Sequence, residues 1–288
     1  MKHLSEHYKG IIAILIAAVL WSTGGIFIKL ISLHPLQITF FRAIFAAVVF
    51  AIAFRKKAFI FNGMTFINGL FYAAILILFV IATKLTTAAN AIFLQYTASI
   101  YVLIFEPLIN KTEFKKINVI TILACFTGMI LFFMGGLSFN HYTGNIVALL
   151  SGVAFAAFLI GMKHNKQEYQ FSTIFYGNII IILFSTPSIL TLQSLSMRDF
   201  TMVAFLGIFQ IGIAYAIFTY GLKRVLAIEA SLISMIEPVL NPVWVILWYG
   251  EVPSFPAIIG GLIIISAIGI RTFVLESGRF NKPQRTTV

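Results

Sequence analysis

The chain has 288 residues, of which 60% are hydrophobic and only 10% are charged, and its mean hydropathy is +1.00. A soluble protein carries about a quarter charged residues, so this composition excludes a soluble globular protein and predicts an all-α integral membrane protein. The net charge of +11 is interpreted as basic loops that meet anionic lipid headgroups, and not as a surface for nucleic acid. A single cysteine, Cys125, excludes an intrachain disulfide.

Apolar segments follow one another along the whole chain, and each is long enough to cross the hydrocarbon core of a bilayer. The ten predicted transmembrane helices cover residues 10–31, 35–54, 65–83, 88–109, 117–136, 144–162, 172–190, 200–221, 227–248 and 255–273. Together they use about 200 residues, which leaves no room for a soluble catalytic domain. The very short connectors at 32–34 and 84–87 predict antiparallel neighbours in a compact bundle.

The basic residues predict the orientation of the bundle, because Lys and Arg concentrate in cytoplasmic loops. With the N-terminus in the cytoplasm and ten alternating spans, all but four of the 20 Lys and Arg residues fall on the cytoplasmic side. The exceptions are Lys29, Lys84 and Arg198 on the outer side and Arg42 within a span. We therefore expect a multi-pass protein of the cell (inner) membrane with both termini in the cytoplasm.

The two halves of the chain match each other at a nearly constant shift, which indicates an internal repeat. A shift of 134 residues pairs Gly10 with Gly144, Trp21 with Phe155 and Lys29 with Lys163, and a shift of 139 pairs Lys84 with Lys223 and Ala88 with Ala227. The predicted repeats cover residues 1–137 and 138–275, and residues 276–288 form a basic cytoplasmic tail. Because each repeat has five spans, an odd number, the two copies are expected to have opposite orientations, as in secondary transporters. The alternative is a duplicated membrane scaffold without transport.

Several short motifs resemble those of the ten-helix EamA-type permeases of the drug/metabolite transporter superfamily. They are Leu20-Trp21-Ser22, Gly24-Gly25, Arg42, Gly221-Leu222-Lys223-Arg224, Ala227, Glu229-Ala230-Ser231, Glu237-Pro238-Val239 and Gly250-Glu251. The second half carries the more specific motifs, since Ala98-Ser99 stands in the first half where Glu237-Pro238 stands in the second. The resemblance implies a carrier, commonly an exporter or exchanger of amino acids or other small metabolites, that does not hydrolyse ATP.

Motifs of enzymes are missing from the sequence, which has no Walker-type glycine loop, no Gly-x-Ser-x-Gly and no His-Glu-x-x-His. The five histidines lie in termini or loops and form no cluster with the spacing of metal ligands. The sequence therefore predicts a protein that is not an enzyme and that holds no cofactor and no metal.

The ninth predicted span carries polar residues at intervals of three or four, which places them on one helical face. They are Ser234, Glu237, Asn241 and Trp244, followed by Trp248. A charge as deep as Glu237 costs at least about 2.5–3.5 kcal/mol on insertion scales. Glu237 is therefore predicted to line a polar cavity, where it faces a cationic group or carries a coupled proton. The alternative is a neutral, hydrogen-bonded carboxyl that serves helix packing.

Arg42 is the second charge within an apolar span. It can bind a substrate carboxylate, pair with Glu237 or a carbonyl group, or extend to the outer interface. For Glu106, near the cytoplasmic end of the fourth span, a structural ion pair beside Lys111 is predicted. The remaining candidates for the cavity wall, each of which can also be explained by packing, are Trp21, Gln95, Tyr96, Tyr101, Phe155, Tyr176, Asn178, Gln210 and Tyr215.

The leading interpretation is a secondary active transporter that exports an amino acid or a related zwitterion by alternating access, since Arg42 and Glu237 offer opposite charges. Its expected partners are the metabolite, a coupled proton or other ion and membrane lipid, but no nucleic acid, and a monomer can form the complete pathway. The alternatives are uptake or exchange of a nucleotide-like metabolite such as an adenosyl compound, a lipid-intermediate flippase subunit, or a scaffold that transports nothing. A flippase should expose its polar stripe to lipid, whereas a carrier should enclose it.

Overall fold

The computed structural model describes residues 6–111, 114–132, 134, 140–240, 244 and 255–280. Within these ranges all regular secondary structure is helical, with no strand. The α-helices are α1 (Glu6–Ser22), α2 (Gly24–Leu30), α3 (Pro35–Phe54), α4 (Gly63–Leu85), α5 (Ala88–Gln95), α6 (Ala98–Asn110), α7 (Lys116–Phe132), α8 (Tyr142–His164), α9 (Gln170–Ser185), α10 (Met197–Phe205), α11 (Ala214–Leu222), α12 (Ala227–Ser234) and α13 (Phe255–Phe280). Short 3-10 helices cover Arg55–Ala58, Gln167–Tyr169 and Thr186–Thr191, and a π-helix covers Leu206–Ile213.

Most of these helices are long and apolar enough to cross a membrane. The described residues contain eight such segments and one shorter apolar helix, Lys116–Leu131. The ninth predicted span, 227–248, is described as far as Leu240 and again at Trp244, so the predicted site residue Asn241 lies outside the described residues. The prediction of an all-α integral membrane protein is confirmed, and the count of ten spans stays a prediction.

Three spans that were predicted as continuous helices are interrupted. The first span turns at Thr23, between α1 and α2, and the fourth turns at 96–97, between α5 and α6. A third turn, at 235–236, follows α12. Each turn contains a backbone bond from residue i to residue i−3, for example from the Thr97 N–H to the Leu94 carbonyl (3.2 Å). The Thr97 hydroxyl also donates to the Leu94 carbonyl (2.6 Å), which competes with the regular helical ladder.

The two halves pack on each other in a reciprocal way. A Cβ atom on Gly10 would lie 2.7 Å from the Cβ of Arg224, in the connector before α12. A Cβ atom on Gly144, the matching position of the second half, would lie 2.8 Å from the Cβ of Thr86, in the connector before α5. The start of each repeat therefore packs closely on the middle of the other, as two repeats of inverted topology require.

Two lysines that match between the halves repeat this relation at opposite ends of the bundle. Lys29, at the end of the first span, donates to the Thr86 carbonyl (2.8 Å). Lys163, at the end of α8, donates to the Leu222 carbonyl (2.7 Å). Each ammonium group binds a carbonyl at the C-terminal end of a helix, where backbone acceptors are otherwise unpaired. Together with the reciprocal glycine contacts, this confirms the predicted inverted repeat.

Candidate functional site

A small cavity, which we call the central cavity, lies between the two halves. It is lined by Trp21, Arg42, Ile75, Leu76, Phe79 and Gln95 from the first half and by Phe155, Gln210, Ile211, Tyr215 and Glu237 from the second. The space open to a water-sized molecule is about 30 Å³, which holds about two waters. Both buried charges that the sequence singled out, Arg42 and Glu237, face this space.

The Arg42 guanidinium is 3% exposed and has one hydrogen-bond partner among the described residues. Its Nη2 donates to Oε1 of Gln210 at 2.6 Å, whereas its Nε and Nη1 have no partner. No ion pair joins Arg42 to Glu237 in the part of the chain that the structure describes. Since a buried cation is costly when unpaired, this arrangement leaves a strong donor available for an anionic group in the cavity.

Gln210 is positioned by irregular backbone in both halves. It lies in the π-helix Leu206–Ile213, and its Nε2 lies 3.4 Å from the Trp21 carbonyl at the break of the first span. A Cβ atom on Gly24 would collide with the same amide group, so the glycine that follows the break leaves room for it. π-helical turns are frequent at functional sites, and here the wider turn carries the partner of Arg42.

Glu237 is 8% exposed and is bound to the fourth span through Tyr96. The Tyr96 hydroxyl lies 2.7 Å from Oε2 of Glu237 and 2.6 Å from the Ser234 carbonyl. A hydroxyl has one proton, and an ionised carboxylate and a carbonyl are both acceptors. All of these contacts are satisfied when Glu237 carries a proton and donates it to the Tyr96 oxygen, while Tyr96 donates to Ser234.

Aromatic rings form the rest of the cavity wall. Trp21 lies 6.5 Å from Phe155, its matching residue in the second half, and 4.9 Å from Tyr215, measured between ring centroids. Tyr215 in turn contacts Tyr72 edge to face at 4.9 Å. Residues that match between the halves meet at this point, so the cavity lies where the pseudo-symmetry axis passes through the bundle.

Two further polar contacts hold the broken helices beside the cavity. The Gln95 amide, at the end of α5, donates to the Ser151 hydroxyl of α8 at 2.8 Å. The Trp244 indole N–H donates to the Ser22 hydroxyl, at the end of α1, at 2.8 Å. Trp244 therefore lies against the break of the first span, next to Trp21.

The structure brings most of the predicted site residues together. Seven line the central cavity, namely Trp21, Arg42, Gln95, Phe155, Gln210, Tyr215 and Glu237. Tyr96, Ser234 and Trp244 join this group through the contacts described above. Three predicted residues lie elsewhere: Tyr101 is outside the lining, Tyr176 donates to the Phe59 carbonyl near the end of a span (3.0 Å), and Asn178 donates to the Tyr72 hydroxyl (3.1 Å).

Four apolar lining residues were not predicted. Ile75, Leu76 and Phe79 come from α4, and Ile211 comes from the π-helix. They stand in continuous apolar sequence, where a cavity wall, a helix contact and a lipid-facing surface have the same composition. No sequence signal distinguished them.

The predicted ion pair of Glu106 with Lys111 is replaced by a different structural contact. The two oxygens of the Glu106 carboxylate accept the backbone N–H groups of Ala227 (2.7 Å) and Ile228 (2.8 Å). These are the first residues of α12, whose N–H groups have no partner within the helix and carry a partial positive charge. Glu106 therefore caps a helix of the other half.

Comparisons with known proteins agree with this architecture. The sequence profile of the EamA-like transporter family matches residues 8–134 and again residues 142–272. An uncharacterised transporter of Archaeoglobus fulgidus is 24% identical over 89% of this chain and 93% of its own length, and one of Clostridium kluyveri is 24% identical over 89% and 91%. A solved crystal structure with 16% identity aligns with a TM-score of 0.78 over 93% of this chain and 98% of that one. The last likeness shows the fold alone.

Proposed function

Because this chain belongs to the EamA-like transporter family, we propose that it is a secondary active transporter that exports a small zwitterion, an amino acid or a related metabolite. The observation that carries this proposal is the pair of opposite charges in the central cavity. Arg42 retains two unpartnered donors there, and Glu237 faces the same space from the other half. A zwitterion can place its carboxylate on Arg42 and its ammonium group on Glu237, and so compensate both buried charges at once.

Alternating access is supported by the size of the cavity. Its space holds about two waters, whereas even glycine has five heavy atoms, so we infer that a substrate enters after the two halves have separated on one side. The polar residues lie inside the bundle and not on a stripe that faces lipid. This enclosure favours a carrier over a lipid flippase, for which a polar stripe exposed to lipid is expected.

Glu237 supplies a means of coupling transport to protons. In this structure the contacts of Tyr96 with Glu237 and the Ser234 carbonyl are satisfied when Glu237 is protonated. When a substrate ammonium group arrives, Glu237 loses its proton to water and pairs as a carboxylate with the cation. Substrate and proton then occupy the site alternately, which is the requirement for an antiporter.

The experiment that tests this role compares Glu237→Gln with the unmutated protein in liposomes. Glutamine keeps the volume and one hydrogen bond but cannot release a proton, so amino-acid-driven proton movement should be lost, with a fall in flux of at least about tenfold, equivalent to 1.4 kcal/mol. Thermal unfolding in detergent should change little. Glu168→Gln, on the exposed 3-10 helix Gln167–Tyr169, is the matched control and should transport normally.

Other results would change the assignment in defined ways. Normal flux of Glu237→Gln at all pH values would refute the role of this carboxyl, and a loss of stability with flux per folded molecule intact would make it structural. Competition by adenosyl compounds, but not by amino acids, would instead favour a nucleotide-like substrate. The observation that favours a nucleotide-like substrate as the second candidate is the aromatic wall. A purine ring can stack on the side chains of Trp21, Phe155 and Tyr215.

The orientation is proposed from the distribution of basic residues, with the protein in the cell (inner) membrane, the repeats at 1–137 and 138–275, and the tail 276–288 in the cytoplasm. Cysteines placed at Lys56 and at Asn140, in a Cys125→Ala background, should react with an impermeant thiol reagent from opposite sides. Labelling of both positions from outside would refute this orientation.

A further inference from the structure

Three buried polar side chains lie outside the central cavity and carry atoms without hydrogen-bond partners; we call them the polar layer. Asn68 of α4 and Thr219 of α11 are 0% exposed, and neither the Asn68 amide nor the Thr219 hydroxyl has a partner among the described residues. Asn178 of α9 is also buried, and its Oδ1 is unpartnered although its amide nitrogen binds the Tyr72 hydroxyl. None of these atoms contributes to the site described above.

The polar layer lies between the central cavity and the end of the bundle that carries most of the basic loops. Asn68 is one helical turn before Tyr72, toward the start of α4, and Thr219 is one turn after Tyr215, toward Lys223 and Arg224. Residues four positions apart share a helical face. Since the rings of Tyr72 and Tyr215 touch, both helices direct this face toward the same region.

An aromatic plug, formed by Tyr72, Tyr215 and Phe158, separates the polar layer from the central cavity. The ring centroids of Tyr72 and Tyr215 are 4.9 Å apart, and Phe158 lies 5.8 Å from Tyr72 and 6.3 Å from Tyr215. Tyr215 lines the cavity on one side of the plug. In this conformation the three rings therefore lie between the polar layer and the cavity.

An amide that is buried without any hydrogen bond destabilises the conformation that contains it. Asn68 is in this position in an apolar region, beside Gly161 of α8, where a side chain would collide with its Oδ1. Helix packing alone would be served better by an apolar residue of the same shape. The retained amide points to another conformation, with the plug open, in which these atoms bind water or a solute.

We propose that the polar layer is a second binding station for the transported solute, which it occupies between the central cavity and the basic-loop end. The inference rests on the proposed transport function. Its groups are neutral amides and a hydroxyl, which can donate to a carboxylate and accept from an ammonium group. Because they carry no charge, they hold a zwitterion weakly enough for it to leave, as passage along a transport pathway requires.

The first test replaces the orphan amide by an apolar side chain of similar shape, in Asn68→Leu. We expect the maximal flux in liposomes to fall severalfold while the melting temperature in detergent stays equal or rises. The matched control is Thr173→Val, near the start of α9. It also removes a buried polar group, but the Thr173 hydroxyl is already bonded to the Tyr169 carbonyl (2.9 Å). Unchanged flux in Asn68→Leu would overturn the proposal.

The second test requires no substrate and separates the polar layer from the proposed function. In a Cys125→Ala background, Thr219→Cys should react with a small cationic thiol reagent applied from the basic-loop end, whereas Thr173→Cys should not. If neither cysteine reacts with the reagent from either side, the proposal is overturned even if the protein transports amino acids. Labelling of Thr219→Cys in a protein that moves no amino acid would refute the zwitterion assignment and support a polar layer that opens to water.

Discussion

Helices α5 and α12 begin at matching positions of the two repeats, yet their first turns are stabilised by different chemistry. At the start of α5 neutral side chains make hydrogen bonds: the Thr87 hydroxyl accepts the Asn90 N–H (3.0 Å), and the Asn90 amide donates to Oδ1 of Asn145 (2.7 Å) and to the Thr86 hydroxyl (3.2 Å). The Lys29 ammonium group binds the Thr86 carbonyl, which precedes the helix. This end of the bundle carries few basic residues.

At the start of α12 the same places are taken by charged groups. The Glu106 carboxylate binds the first two N–H groups, and Glu229, which matches Asn90, accepts from Nη1 of Arg271 at 3.0 Å. Nε2 of His7 lies 3.3 Å from the same carboxylate oxygen, and Nε of Arg271 donates to the Asn118 amide oxygen (3.0 Å). These contacts join α1, α7, α12 and α13 through charges that are almost fully buried.

The difference shows that the inverted repeat preserves backbone positions and not side-chain chemistry. Removing one partner of a buried ion pair leaves an uncompensated charge and costs far more than removing one neutral hydrogen bond. We therefore expect the basic-loop end to depend strongly on a few residues, and the opposite end to tolerate substitution.

The largest effect is expected for Arg271→Leu, which leaves the carboxylate of Glu229 buried without its guanidinium partner. The free energy of unfolding should fall by about 3–5 kcal/mol, measured by thermal or denaturant unfolding in detergent. The double variant Arg271→Leu/Glu229→Leu removes both charges and should recover much of this loss. A double variant that is as unstable as the single one would show that packing, and not the ion pair, stabilises this end.

Glu106→Ala is expected to have the next largest effect, because both first N–H groups of α12 lose a charged acceptor. Loss of a helix cap costs about 0.5–2 kcal/mol, and because the lost acceptor is charged and buried the loss should lie at the upper end of this range. Amide hydrogen exchange should accelerate at Ala227 and Ile228 but not at Ala88. Glu106→Gln keeps one acceptor and should lose less than Glu106→Ala; equal losses would contradict the role of Glu106 as a cap.

Asn90→Ala should have the smallest effect, since the described contacts of its side chain, with Oδ1 of Asn145 and the Thr86 hydroxyl, are neutral hydrogen bonds. We expect a loss of about 0.5–1.5 kcal/mol in the same unfolding measurement, and hydrogen exchange at α12 should not change. If this variant is as unstable as Arg271→Leu, the two ends of the bundle do not differ in the way that their contacts indicate.

The sequence by itself determined the class of the protein and the charges at its centre. An apolar chain with 10% charged residues has no surface for water, so the membrane follows from composition alone. Arg42 and Glu237 were identifiable because a charge within an apolar run is expensive wherever the run packs. The inverted repeat was detectable because glycines and lysines recur where backbones approach and helices end, positions that do not depend on the detailed packing.

The tertiary structure alone decided what these charges contact and which apolar residues surround them. In a membrane both the lipid-facing and the protein-facing sides of a helix are apolar, so hydrophobic periodicity does not report how a helix is rotated about its axis. For this reason the sequence could not separate Leu76 in the cavity wall from an apolar neighbour that faces lipid. The cap formed by Glu106 and the contact of Arg42 with Gln210 join residues that are distant along the chain. Both contacts exist only because the two halves pack against each other.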